Sequence, residues 1–384
     1  VSKTANLYTC VYCKKPKNED EFDRAHVIAE ALGGKLRVSE MCCKSCNSRL
    51  GTDVESHLIN LKPISYARTV LRLPGASGDI PSTIMQRSTG AEYMFRPDGV
   101  VLPSIPYEES RGEDGQLVIR VSGASMDEVI SRARGVIGKK IQRGKLPEKD
   151  ISGGSVKLLR TRERSKEQWS PLEFSHDSSL IGRAMAHIAF NFLSSQFERD
   201  LVLTKAFDPI RDYIQVGKSV ATVPLCVPEY REFFPKGEDP DGLFHRVTVY
   251  CDGDLGNVIA LVELFRYLRW AVVLAWQYTG PHRDVSLTNI LSASSCDIRW
   301  GTAKPLIPTS TITRQTEEEL EKQHEYLKRG YQYLCNRLCL MDARGRVDDL
   351  QKWLLGEFDG QHPALSPETA FEKAVKWFAH RSSP

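Results

Sequence analysis

Two Cys-x-x-Cys pairs, Cys10-Val11-Tyr12-Cys13 and Cys43-Lys44-Ser45-Cys46, open this chain with 29 residues between them. Each pair places two thiolates on one tight turn, and a closed tetrahedral zinc site takes four soft ligands. The spacing therefore predicts one structural Zn²⁺ held by Cys10, Cys13, Cys43 and Cys46. A metal staple suits the segment, because its first ~60 residues are polar and turn-rich and cannot build a large core alone. Cys42 adjoins a ligand but breaks the spacing, and reads as a small buried residue. The other five cysteines (Cys226, Cys251, Cys296, Cys335 and Cys339) are scattered. No disulfide framework follows from them, and a reducing, cytoplasmic setting is expected.

Between the pairs, Asp23-Arg24-Ala25-His26-Val27-Ile28 leads into Leu32-Gly33-Gly34, and Asn47-Ser48-Arg49-Leu50-Gly51 follows the fourth cysteine. This succession resembles the HNH endonuclease family in its zinc-stapled form. The resemblance implies a ββα-metal fold with His26, at a strand end, as general base. It further implies that the glycine pair shapes the loop and that Asn47 binds a catalytic Mg²⁺ or Mn²⁺ ion. An imidazole with an ordinary pKa near 6.5 can take a proton from water at neutral pH. The family places an acidic residue or histidine directly before the base, where this chain has Ala25. Asp23, on the same side of an alternating strand as Ala25, is one acid expected to replace it; Asp53 on the helix is the other. The family's central asparagine has no counterpart, with Ser39 and Glu40 nearest. His57 reads as an ordinary surface residue.

A chain of 384 residues is long enough for two or three domains. The expected partition is a zinc-stapled HNH module at 1–62, a β-rich basic α+β domain at 63–170, and an α/β regulatory or target-recognition domain at 171–384. The fold class is α+β, an N-terminal ββα-metal (HNH) zinc module followed by a larger mixed α/β region. Leu117 to Val121 reads as a strand, and Ser125 to Lys140 as a helix with Ser125 as N-cap and Glu128 completing a capping box. Ser155 to Thr161 reads as a strand, and Ser178 to Asp200 as an amphipathic helix. His245 to Tyr250, Asn257 to Leu268 and Trp270 to Gln277 read as β-α-β, with a proline-rich loop at Val220 to Gly242 before them. Thr316 to Leu340 reads as a long charged helix. On the helix at 178, His187 and Asn191 stand at i and i+4, a spacing read mainly as buried polar groups satisfied by neighbours. Arg211, Asp212 and Tyr213 read as packing and capping residues, and Trp270, Trp276 and Tyr278 as core aromatics.

Net charge is only +3, but it is unevenly spread. From Arg132 to Lys166, twelve Lys or Arg face three acids, which leaves the rest of the chain slightly acidic. Arg132, Arg134, Lys139, Lys140, Arg143, Lys145, Arg160, Arg162 and Arg164 are therefore nominated as contacts to a nucleic-acid backbone. The longest strongly apolar run, Ala271 to Trp276, is too short to cross a bilayer, and no membrane partner is expected. No Walker-type or dinucleotide-binding glycine motif is present.

The expected function is metal-dependent hydrolysis of phosphodiester bonds by an HNH endonuclease. Double-stranded DNA is the expected substrate by family resemblance, with RNA left open beside it, in a bacterial restriction or anti-phage role. Two alternatives stand next to it: a non-catalytic zinc-knuckle nucleic-acid-binding protein, and a nuclease released by a small-molecule or protein trigger.

Overall fold

The computed structural model describes residues 7–86, 92–98, 101–104, 107–111, 117–121, 123, 126–143, 178–217, 226–229, 242–291, 298–302 and 317–356. Two compact units emerge, one from Val1–Pro81 and Phe174–Leu338, the other from Ser82–Glu173 and Cys339–Pro384.

The first unit opens with hairpin β1 (Leu7–Thr9) and β2 (Pro16–Asn18), followed by the two-residue pair β3 (Ala25–His26) and β4 (Arg37–Val38). Helix α1 (Lys44–Leu50) continues through a π-helical stretch, Gly51–Glu55, into α2 (Ser56–Ile59), and α3 (Lys62–Val70) follows. In the second unit, β5 (Thr83–Gln86), β6 (Glu92–Phe95) and β7 (Val101–Pro103) form one antiparallel sheet. There β8 (Tyr107–Arg111) pairs with β9 (Leu117–Val121), and α4 (Met126–Gln142) follows. Strand and helix fall where the sequence places them, although Ser125, the nominated cap, lies outside the described residues. So does the strand expected at 155–161.

The chain then returns to the first unit with α5 (Ser178–Gln196), α6 (Arg199–Val202) and α7 (Asp208–Val216). Next come β10 (Cys226–Pro228), β11 (Leu243–Asp252), β12 (Asn257–Leu264), β13 (Leu268–Trp276), β14 (Arg283–Leu291) and β15 (Ile298–Gly301), and last α8 (Glu317–Gly356). These six strands form one antiparallel sheet in the order β10-β13-β12-β11-β14-β15. The helix expected over Asn257 to Leu268 is thus a strand. Every residue from Val258 to Leu264 is buried, so the segment shows no polar alternation to mark it as β. A short, fully buried apolar run cannot be told from a helix by its period alone. Its β-branched content and pairing with β11 and β13 decide the matter.

Helix α5 is apolar on nearly every side, with Ile181, Met185, Ile188, Ala189, Phe190, Phe192 and Leu193 all buried. A helix buried all round needs partners on opposite faces. It packs against β11, β12 and β13 on one side and against α2 and the π-helical stretch on the other. The sheet therefore supports the N-terminal module through α5. No helix among the described residues is long and apolar enough to cross a membrane.

Candidate active site

The first cysteine pair sits in the turn of the β1–β2 hairpin. The Lys14 amide donates to the Cys10 carbonyl at 2.9 Å, and Lys14 takes a positive φ of 55° to close the knuckle. The second pair opens α1, with Cys43 as its N-cap and Cys46 on its first turn. The four Sγ atoms lie within 4.8 Å of one another, and Cys13 and Cys43 are 4.0 Å apart. Zinc–sulfur bonds of ~2.3 Å require sulfurs roughly 3.8 Å apart in a tetrahedron, so the cluster fits a structural zinc ion. The Cys43 amide donates to Cys10 Sγ at 3.4 Å. Hydrogen bonds from the Cys42 and Cys46 thiols hold Cys10 below the usual thiol range, whereas burial raises Cys13 and the hydrogen bond to Cys10 raises Cys46. Cys42 is buried but stands outside the four.

His26 lies directly across from Arg37 in the β3–β4 register. Cross-strand partners put their side chains on one face, and Arg37 Nε donates to His26 Nε2 at 2.8 Å. Arg37 Nη2 in turn pairs with Glu30 Oε1 at 2.7 Å. With Nε2 accepting, the imidazole proton resides on Nδ1. Burial, and next the Arg37 charge, lower the His26 pKa, while Glu30 and Glu55 oppose the shift. The ring is thereby kept neutral near pH 7, the state a general base requires.

Asp23 and Asn47 come together from separate elements, with Asn47 Nδ2 donating to Asp23 Oδ2 at 3.3 Å. This orientation leaves Asn47 Oδ1 and the second Asp23 oxygen for other partners. Ala25, in the position where the family carries an acid, is buried. Asp53 is exposed on the π-helical stretch, and His57 is exposed on α2. Glu55, which the sequence reading passed over, is the acid of this stretch close enough to His26 to act on its pKa. Its Oε1 also lies 3.4 Å from His187 Nδ1, an ion-pair distance longer than a well-formed hydrogen bond.

The main chain around His26 is held by the downstream half of the unit. Asn191 Nδ2 donates to the His26 carbonyl at 3.2 Å, and Tyr12 Oη donates to Asn191 Oδ1 at 2.5 Å. Asn191 and His187 are also hydrogen-bonded to each other at 3.2 Å, so the expected i, i+4 pair is buried, with Asn191 satisfied and His187 Nδ1 left only its long contact to Glu55. Arg211 Nε donates to the Val11 carbonyl at 2.6 Å, Gln215 Nε2 to Tyr12 at 3.0 Å, and Arg199 Nη2 to Glu40 at 2.6 Å. Arg211 is accordingly a packing residue, as its sequence position suggested.

The glycine pair forms a tight loop after His26. Gly33 has φ of 85°, and a Cβ on Gly34 would meet the Ile28 carbonyl oxygen at 1.8 Å, so no side chain fits there. His245 Nε2 donates to the Leu32 carbonyl at 2.8 Å and Asn289 Nδ2 to the Gly33 carbonyl at 3.1 Å. The His245 Nδ1 accepts from the Phe265 amide at 3.1 Å, which fixes the neutral tautomer. Burial lowers its pKa to about 4.

In the second unit, α4 carries Arg132, Arg134, Lys139 and Lys140, and Arg143 follows directly. Arg132, Lys139, Lys140 and Arg143 line a cleft of about 590 Å³ with Tyr107 and Glu109. Lys140 is paired with Glu109 at 2.6 Å and Arg132 with Glu128 at 2.5 Å. Lys145, Arg160, Arg162 and Arg164 lie outside the described residues.

Against this geometry, residues 10–62 match the family model described as HNH endonuclease. The chain therefore carries an HNH endonuclease domain with a four-cysteine cluster. A domain of this family implies phosphodiester hydrolysis and nucleic-acid binding in general. Comparisons with curated proteins and with solved structures give no match, and the family model leaves residues 63–384 unassigned.

Proposed function

We propose that the protein is a metal-dependent endonuclease acting on DNA, with His26 as general base and Asn47 and Asp23 as the ligands of a catalytic Mg²⁺ or Mn²⁺ ion. The observation that carries this reading is the approach of Asn47 to Asp23. It brings an amide and a carboxylate from separate elements together despite Ala25, each keeping one oxygen outside that hydrogen bond. Carboxylate and amide oxygens are the donors such hard cations take, with coordination positions left for phosphate oxygens. When bound, the ion stabilises charge on the phosphate and on the leaving oxygen.

His26 removes a proton from a water molecule. The water oxygen bonds to phosphorus, the opposite P–O bond breaks, and the departing oxygen takes up a proton from solvent. Asn191 holds the His26 main chain, and burial keeps the ring unprotonated. The basic face of α4 holds nucleic-acid backbone without reading bases. A role in bacterial restriction or anti-phage defence, and control by a small molecule or a protein, belong to the same proposal.

A second reading, a zinc-knuckle binding module without catalysis, is favoured by Ala25 and by the missing central asparagine. Plasmid cleavage with Mg²⁺ or Mn²⁺, run beside His26→Ala, separates the two. The catalytic reading expects cleavage by the wild type and at least a hundredfold loss in the variant. Equal rates, or no cleavage with either metal, sink it.

A further inference from the structure

Arg37 occupies the nitrogen through which His26 would act. Its Nε–H donates to His26 Nε2, and its Nη2 is held by Glu30. The contact is built into the hairpin, because the two residues are direct partners in its register. The water that a base activates must lie within hydrogen-bond reach of Nε2, with the phosphate just beyond it. The guanidinium stands in that space. While it stays there, the lone pair is engaged and the water has no acceptor.

The same guanidinium is suited to a phosphodiester. Its planar fork binds phosphate oxygens in pairs, and its side chain is 44% exposed. An ion pair as exposed as Arg37–Glu30 is held weakly, so an incoming phosphate can displace it. The other charged groups facing His26 are Lys35 and Glu55. Lys35 repels a protonated ring as Arg37 does, and Glu55 favours one.

We propose that Arg37 is a substrate-gated cap on the base: it engages His26 Nε2 in the free protein, and the scissile phosphodiester draws it away. Seating the substrate then does two things at once. It exposes the lone pair to the attacking water, and it brings a positive charge to a non-bridging phosphate oxygen. Hydrolysis is thereby tied to the presence of a phosphate. This inference rests on His26 being the general base.

The test uses full-length protein with ¹⁵N-labelled histidine in buffer free of added Mg²⁺ and Mn²⁺, before and after addition of a DNA duplex. Wild-type His26 Nε2 is expected to shift on adding duplex as its hydrogen bond from Arg37 is lost. Arg37→Ala, and Arg37→Met with the aliphatic stem retained, are expected to show the shifted signal before any DNA is added. With Mg²⁺, both variants should lose about a hundredfold in kcat/KM, the usual cost of removing one charge-stabilising donor. An unchanged His26 signal in both variants overturns the cap, as does wild-type cleavage by them while His26→Ala is inactive. Wild-type cleavage by His26→Ala removes the base itself, and the cap with it.

Discussion

Asn191 hydrogen-bonds through its side-chain amide to the main-chain carbonyl of His26, across 165 positions of sequence. The same amide group accepts from Tyr12 and meets His187, so one buried side chain joins the first cysteine knuckle, helix α5 and the strand end bearing His26. Truncating it strands the Tyr12 hydroxyl and the part-buried His26 carbonyl. Asn191→Ala should cost about 2–6 kcal/mol, from roughly 1–3 kcal/mol for each of the two stranded groups. Urea unfolding followed by circular dichroism measures this, and a midpoint equal to wild type would remove the network's structural role.

Metal content is the simplest check on the cysteine cluster. Elemental analysis should find one zinc per chain, lost in Cys43→Ser and Cys46→Ser and retained in Cys42→Ser, which lies outside the four ligands. Chelation should unfold the N-terminal module, since metal affinity in such sites is folding free energy.

Asp23 and Asp53 divide by geometry, since Asp23 is bonded to Asn47 and Asp53 is exposed. Asp23→Ala and Asn47→Ala should each reduce Mg²⁺-dependent cleavage by about a hundredfold or more while keeping zinc, because catalytic ligands are expected to act at the chemical step. Asp53→Ala, at an exposed position, should stay within about threefold, as surface changes usually do. A large loss at Asp53 with none at Asp23 would reverse the assignment.

Binding through α4 should be salt-dependent. Replacing both Lys139 and Arg143 with glutamine should lower the slope of log K against log salt by about 2, at roughly 0.9 per phosphate contact. Fluorescence anisotropy over a salt series reads this directly. An unaltered slope would show that this cleft does not touch backbone.

His245 makes stability depend on pH. Burial holds its folded pKa at about 4, below the ordinary value of 6.5, so the unfolded chain binds more protons between these values. The stabilisation is fully present above pH 6.5 and is lost as pH falls towards 4. The loss reaches about 3 kcal/mol at 1.36 kcal/mol per pKa unit. Chemical denaturation at pH 7 and pH 4.5 should show a smaller difference for His245→Gln than for wild type.

The four-cysteine cluster and the tight Gly33-Gly34 loop were legible in the sequence because each depends on short spacing. Asp23 was nominated from its side of the strand, and the structure puts it beside Asn47. Arg37 could have been found the same way, since pairing the strands around the loop sets it opposite His26. Glu55 carried no such signal. It reaches the site because the chain continues from α1 through a π-helical stretch, which changes the angle at which side chains leave the axis. Strand β12 was misread because burial on both faces erased its period.

Local chemistry in the sequence alone thus determined the HNH domain: thiol pairs on tight turns, an imidazole near a glycine loop, an amide after the fourth cysteine. Tertiary structure decided what holds that chemistry in place. Asn191, Arg211, His245 and Asn289 bond carbonyls of the N-terminal module from positions more than 150 residues away. Main-chain carbonyls accept from any suitably placed donor whatever the residue bearing them. No pattern along the chain could therefore say which distant side chain each carbonyl would meet; only the packing of α5 and the six-stranded sheet against the module does.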